Sequence, residues 1–216
     1  MKKVLAIISA CVIIISAFSL FAISSSAYNP TNAVYYATLF ANSTSVPYFD
    51  YFPGGDCTNI VSSCLWNGGF RAMDSVSSLQ GYGVKNESSK WYSWKYSGQT
   101  KLFGQVISSW TKWKTSTTWV RVYNTGSGKG LNQYMVNQQN CTCIRTAYWS
   151  DIIQHANVGD VIQCGHNGSD PCHSIIVTSK SSNDIGVSAH TNARNNVSFR
   201  TGFLPYFDYF YIIKPN

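Results

Sequence analysis

The chain has 216 residues, with 16 Lys and Arg against 9 Asp and Glu, a formal net charge of +7, and 14 Tyr, 11 Phe and 7 Trp. Only 12% of the residues are charged and 15% are aromatic, which excludes a disordered chain or a solvated helical array and describes one folded, aromatic-rich domain. The basic surplus is spread over Lys90, Lys95, Lys101, Lys112, Lys114, Arg121 and Lys129 without a contiguous block, which fits an anionic cell-wall polymer better than a nucleic acid.

Residues 1–27 read as a secretory signal peptide. Lys2 and Lys3 form a basic start, Val4 to Ile23 is apolar apart from serines, and Ser25-Ser26-Ala27 offers small residues for cleavage. An uncleaved membrane anchor is the alternative, because the apolar run is long enough to span a bilayer. Either way, residues 28–216 are expected to form the domain and to lie outside the cytoplasm, secreted or associated with the cell wall. Residues 28–42 place Ala33, Tyr36, Ala37 and Phe40 at helical spacing behind Pro30 and a capping Thr31. Residues 43–55 are turn-rich and end in Pro53-Gly54-Gly55. A second helix follows from Asp56, a potential cap, with Ile60, Val61, Cys64 and Leu65 on one face and Asn67-Gly68-Gly69 as its stop.

Residues 74–130 form a Trp-rich insertion carrying Trp91, Trp94, Trp110, Trp113 and Trp119. A flexible linker does not carry five tryptophans, so the insertion is expected to pack on the core. Within it, part of 103–113 reads as helix and 116–123 as strand. The last third reads as β structure: 160–163 after an Asn157-Val158-Gly159 turn, then 174–178, 185–190 and 209–213, joined by connections short enough for antiparallel neighbours. Helices in front and a β meander behind give an α+β domain. The repeated hexapeptide PYFDYF, at 47–52 and 205–210, has no matching surroundings and is not a structural repeat.

Apart from Cys11, the cysteines are Cys57, Cys64, Cys141, Cys143, Cys164 and Cys172. An even number in a secreted chain suggests three disulfides. Cys57 and Cys64 cannot pair with each other, because seven residues of helix separate them by about 10 Å. The C-x-C spacing of Cys141 and Cys143 departs from the C-x2-C of structural zinc sites, and Gly126-Ser127-Gly128 lacks the strand–helix setting of a nucleotide loop. No metal, nucleotide or cofactor therefore enters the reading. Cys57 differs from its fellows: it opens a helix behind two glycines, where free N–H groups favour thiolate. His173 opens the run HSIIVT and His190 ends GVSAH. In an antiparallel pair these two ends are neighbours, so one imidazole could take the thiol proton while the other orients it.

The segment GGDCTNIVSSCLWNGG resembles the GGDCTNFVSQ-type signature of the putative amidase domain family of bacterial secreted and cell-wall proteins, a branch of the papain-like, NlpC-type cysteine peptidases and amidases. The opening YNPTNAVYYA, the turn ANVGDVIQ and HSIIVTS followed by GVSAHT agree with it in order. The resemblance implies a papain-like fold, with the nucleophile helix packed on a C-terminal antiparallel sheet. It also implies hydrolysis of an amide bond in a peptide or in peptidoglycan. Catalytic roles carry over to Cys57 as nucleophile, His173 as general base and His190 as the polar third residue, with Asn192 as the alternative third residue. Ser63, Ile60 and Pro30 depart from the usual Gln, Phe and basic residue. The competing reading is a non-catalytic wall- or glycan-binding module with structural cysteines.

Overall fold

The computed structural model describes residues 27–43, 49, 52, 56–76, 82–167, 169–190 and 192–216. The expected signal segment before Ala27, the Pro53-Gly54-Gly55 turn and most of the first PYFDYF copy lie outside the described residues. Helix α1 (Pro30–Phe40) is capped by Asn29, whose side chain accepts from the Asn32 N–H, so Asn29 does the work expected of Thr31. Its buried stripe of Ala33, Tyr36 and Ala37 packs on helix α2 (Cys57–Asn67). Gly69, in the left-handed region at φ 75°, follows α2 and turns the chain away, as expected of the Asn-Gly-Gly stop.

Helix α2 is not the amphipathic helix suggested by its sequence. Thr58, Asn59, Ser62 and Ser63 are as buried as Ile60, Val61 and Leu65. A helix buried on all sides must satisfy its polar groups inside the protein. Asn59 Oδ1 accepts from the Trp119 indole at 2.8 Å, Ser62 Oγ accepts from the Trp91 indole and donates to the Trp119 carbonyl, and Ser63 Oγ donates back to the Asn59 carbonyl. The two indoles pack 4.4 Å apart and are fully buried.

Among its described residues the insertion also contains a three-stranded sheet of order β1-β3-β2: β1 (Gly83–Lys85), β2 (Ser93–Leu102) and β3 (Gln105–Ser116). This corrects the helix expected within 103–113, because Phe103-Gly104 makes a tight turn and the Val, Ile, Thr and Trp content then suits a hairpin. It also corrects the strand expected over 116–123, where Thr117–Val120 forms one helical turn, α3. There the Thr117 hydroxyl donates to the Glu87 carbonyl and the Thr118 hydroxyl to the Lys90 carbonyl, so tertiary bonds override β propensity.

Helix α4 (Leu131–Asn137), strand β4 (Thr142–Thr146) and helix α5 (Trp149–His155) lead into β5 (Val161–Gly165), β6 (His173–Lys180), β7 (Ile185–Ala189), β8 (Arg194–Ser198), the short helix α6 (Phe199–Gly202) and β9 (Tyr209–Lys214). Six strands form an antiparallel sheet of order β4-β9-β5-β6-β7-β8. It includes all four strands expected in the last third and adds β4 and β8 at its edges. Val161, Ile176 and Ile213 pack toward α1, α2 and α4, while Ile162, Ile175, Val177, Val187 and Ile212 pack toward α5 and α6. Coverage on both faces explains the continuous apolar runs of β5 and β6. The result is an α+β architecture that presses the N-terminal end of α2 against β6.

Candidate active site

The quartet Asp56-Cys57-Thr58-Asn59 starts α2, and each member has a defined partner. Asp56, expected as a cap, makes no side-chain cap. Its Oδ1 accepts from the Phe52 N–H at 2.9 Å and the Asn59 amide at 2.8 Å, while Oδ2 lies 2.5 Å from His190 Nδ1. The carboxylate thus ties the approach to the helix, the helix itself and the end of β7. His190 Nε2 lies 2.6 Å from the Phe40 carbonyl. Both ring nitrogens face acceptors, so the charged ring satisfies both. Burial opposes that charge, but the Asp56 hydrogen bond, the Phe40 carbonyl and the Asp56 charge outweigh it and raise the His190 pKa.

Cys57 is 6% exposed. Its Sγ lies 3.8 Å from the Thr58 hydroxyl, and the nearby Ser174 backbone N–H favours the thiolate. Behind Thr58 runs a buried polar chain. Asn132 Nδ2 donates to Gln163 Oε1 at 2.8 Å, and Gln163 Nε2 donates to Ser174 Oγ at 3.1 Å. Ser174 Oγ and Thr58 Oγ1 are 3.2 Å apart. Because Ser174 already accepts from Gln163, its own proton is free for Thr58, and the Thr58 proton is then free for the sulfur. The helix start was expected to favour thiolate. Burial, helped by the neighbouring Asp56 charge, instead pushes the Cys57 thiol up, and the Ser174 and Thr58 donors offset this only in part.

His173 immediately precedes Ser174 at the start of β6. Its ring stacks on Phe203 and Phe207 with centroids 5.7 and 6.1 Å away. Burial, with a smaller contribution from the Arg194 charge, lowers its pKa to about 4. The two histidines differ from the expected relay. His190 points to the α1 and α2 side of the sheet and His173 to the α6 side, as strand alternation dictates for a register pairing Ile176 with Ser188. His190 therefore cannot orient His173 through its own nitrogens, both of which face other partners. Asn192, in contrast, lines the same cleft as His173, together with Arg194, Phe203, Tyr206 and Phe207, in a volume of about 340 Å³. Among the described residues no hydrogen bond joins Cys57 Sγ to the His173 ring; one residue of β6 backbone connects the two.

All six cysteines of residues 57–172 are free thiols, which corrects the expectation of three disulfides. Cys64 and Cys164 are locked in separate cores on opposite sides of the sheet, so the cysteine count reflects packing rather than stapling. Among the described residues no group of three or more His, Cys, Asp and Glu is placed to hold a metal ion. The polar chain behind Cys57 and the Asp56–His190 brace escaped sequence reasoning; Asp56 and Asn59 at helical spacing were their only visible trace.

The family described as "Putative amidase domain" matches residues 27–213. The chain belongs to the putative amidase domain family. Neither the curated proteins nor the solved structures give a match. The matched span takes in both the insertion and the six-stranded sheet, and the family points to hydrolysis of an amide bond.

Proposed function

We propose that this amidase-family protein is a secreted cysteine amidase or peptidase of papain-like type, with Cys57 as nucleophile and His173 as general base, acting on a peptide or on the peptide part of cell-wall peptidoglycan. The observation that carries the reading is the seat of Cys57. Its sulfur sits at the start of a helix pressed on the sheet, beside the backbone of the residue that follows His173.

With the thiol raised and the imidazole lowered, both groups rest neutral. Attack of Cys57 Sγ on the amide carbonyl is then coupled to transfer of the thiol proton to His173, rather than starting from a preformed thiolate. Productive geometry requires the His173 ring to turn from Phe203 and Phe207 toward the sulfur as substrate enters the cleft. The resulting imidazolium protonates the departing amine. Water, losing a proton to His173, cleaves the thioester to the acid and restores the thiol. The Cys57 backbone N–H, one of the donors left free by the first helical turn, supports the oxyanion. Asn192 shares the cleft and suits the third polar role better than His190.

The test is mass spectrometry of muropeptides before and after incubation with the protein, alongside alkylation of the native thiols. Release of new amide-cleavage products that Cys57→Ala abolishes supports the assignment. Unchanged product formation by Cys57→Ala would overturn it.

A further inference from the structure

The outer part of the β2–β3 ribbon has no role in the proposed chemistry. Residues 99–109 are all exposed, and the end of the ribbon gathers Leu102, Phe103, Val106 and Ile107, with 54%, 97%, 49% and 59% of their surfaces in solvent. Four large apolar side chains at the tip of a projecting hairpin serve no core. The turn itself sharpens the point. Phe103 and Gly104 both have positive φ, 49° and 83°. Asn-Gly or Asp-Gly is the usual choice for such a turn. A phenyl ring in left-handed backbone is costly, and at 97% exposure it gains no packing within this chain.

The rest of the ribbon holds the tip out rigidly. A Cβ on Gly98 would collide with the Trp110 ring, so the indole lies flat across the opposite strand. Tyr82 packs on Trp110 and Tyr96 at 5.7 and 6.2 Å, and the Lys112 ammonium sits 4.6 Å over Tyr82. On the other face Lys95 lies over Trp113. The strands carry Lys95, Lys101, Lys112 and Lys114 and no acidic residue, and no Asp or Glu occurs anywhere between Glu87 and Asp151. An apolar point followed along the strand by Lys101, Thr100, Ser108 and Ser109 has the order of a bilayer entered from its surface: hydrocarbon, then phosphate, then water.

We propose that this ribbon docks the protein on an anionic lipid surface, with Leu102, Phe103, Val106 and Ile107 entering the acyl boundary and the lysines drawn to the headgroups. An anionic polymer would satisfy the lysines but has no use for the phenyl ring, so the tip decides between the two. This inference does not depend on the hydrolytic reading.

The experiment is co-sedimentation of the full chain with vesicles of phosphatidylcholine alone or mixed with phosphatidylglycerol, at low and high salt. The expected result is binding to the mixed vesicles, weakened by salt, and reduced about tenfold or more by Phe103→Asp. Aspartate tolerates left-handed backbone better than phenylalanine, so this variant keeps the fold. Phe103→Trp adds a direct readout: its fluorescence should be quenched by lipids brominated on the acyl chain. Three results would overturn the proposal: no binding to phosphatidylglycerol vesicles at low salt, binding that Phe103→Asp leaves unchanged as charge alone would give, or self-association through the tip without lipid.

Discussion

Replacing His190 by Gln separates a structural brace from a catalytic residue. His190 and Asp56 are 3% and 1% exposed and 2.5 Å apart. Removing one partner of such a buried charge pair costs about 3–5 kcal/mol, because the other charge is left without compensation. Against a total of about 5–15 kcal/mol for a typical domain, that is a large fraction. His190→Gln should therefore shift urea denaturation strongly at pH 6. Asp56→Asn keeps an oxygen for the Phe52 and Asn59 donors and should cost less. In the double variant the two effects should fall short of additivity by about 2 kcal/mol. The pH dependence has a definite sign. His190 has its pKa raised on folding, so its contribution is fully present below 6.5 and is lost as pH rises through the folded value. The gap between parent and variant should narrow in alkaline buffer. If His190→Gln unfolds at the parental urea concentration while losing hydrolysis, the brace is refuted and His190 acts on the reaction.

His173 carries the opposite sign. Its pKa falls from 6.5 to about 4 on folding, so stability on the order of 3 kcal/mol is present above pH 6.5 and lost as pH falls toward 4. Acid denaturation followed by circular dichroism should begin at lower pH in His173→Phe than in the parent. The acid limb of kcat/KM should lie well below the ordinary histidine value in the parent. Thr58→Val removes the hydroxyl beside Cys57 Sγ at nearly constant volume, and alkylation of Cys57 should slow about tenfold at fixed pH while the fold persists. Ser174→Ala leaves the buried Gln163 amide without its acceptor and should cost about 1–3 kcal/mol in urea denaturation. Trp119→Phe removes the buried indole donor to Asn59 Oδ1 and should destabilise by about 1 kcal/mol in the same assay.

The parts of the fold legible in the sequence were those written in local periodicity. The stripe of Ala33, Tyr36 and Ala37, the Gly68-Gly69 stop and the β-branched runs of β5, β6, β7 and β9 marked their elements directly. The edge strand β8, with Arg194, Asn195 and Asn196, showed no such signal because its residues are mostly polar and only part-buried. The Phe103-Gly104 turn was hidden by a residue that hairpins seldom place there. Within the site, the place of Cys57 at a helix start followed from the residues around it, whereas the packing of that helix on the sheet was what the family resemblance implied. The separation of the two histidines did not follow, although strand alternation contains it: the Ile176–Ser188 register sets His190 one position out of step with His173, and a one-residue offset puts the two on opposite faces. The downward pull on His173 and the upward push on Cys57 depend on how deeply each sits, which no local pattern records.

The indoles of Trp91 and Trp119 are roots by which the insertion is grafted onto the helix that carries Cys57. Shortening the hairpin from its far end would leave those anchors untouched. Excising the whole segment would take the indole donor from Asn59 and both partners from Ser62, unsettling from behind the helix that carries Cys57.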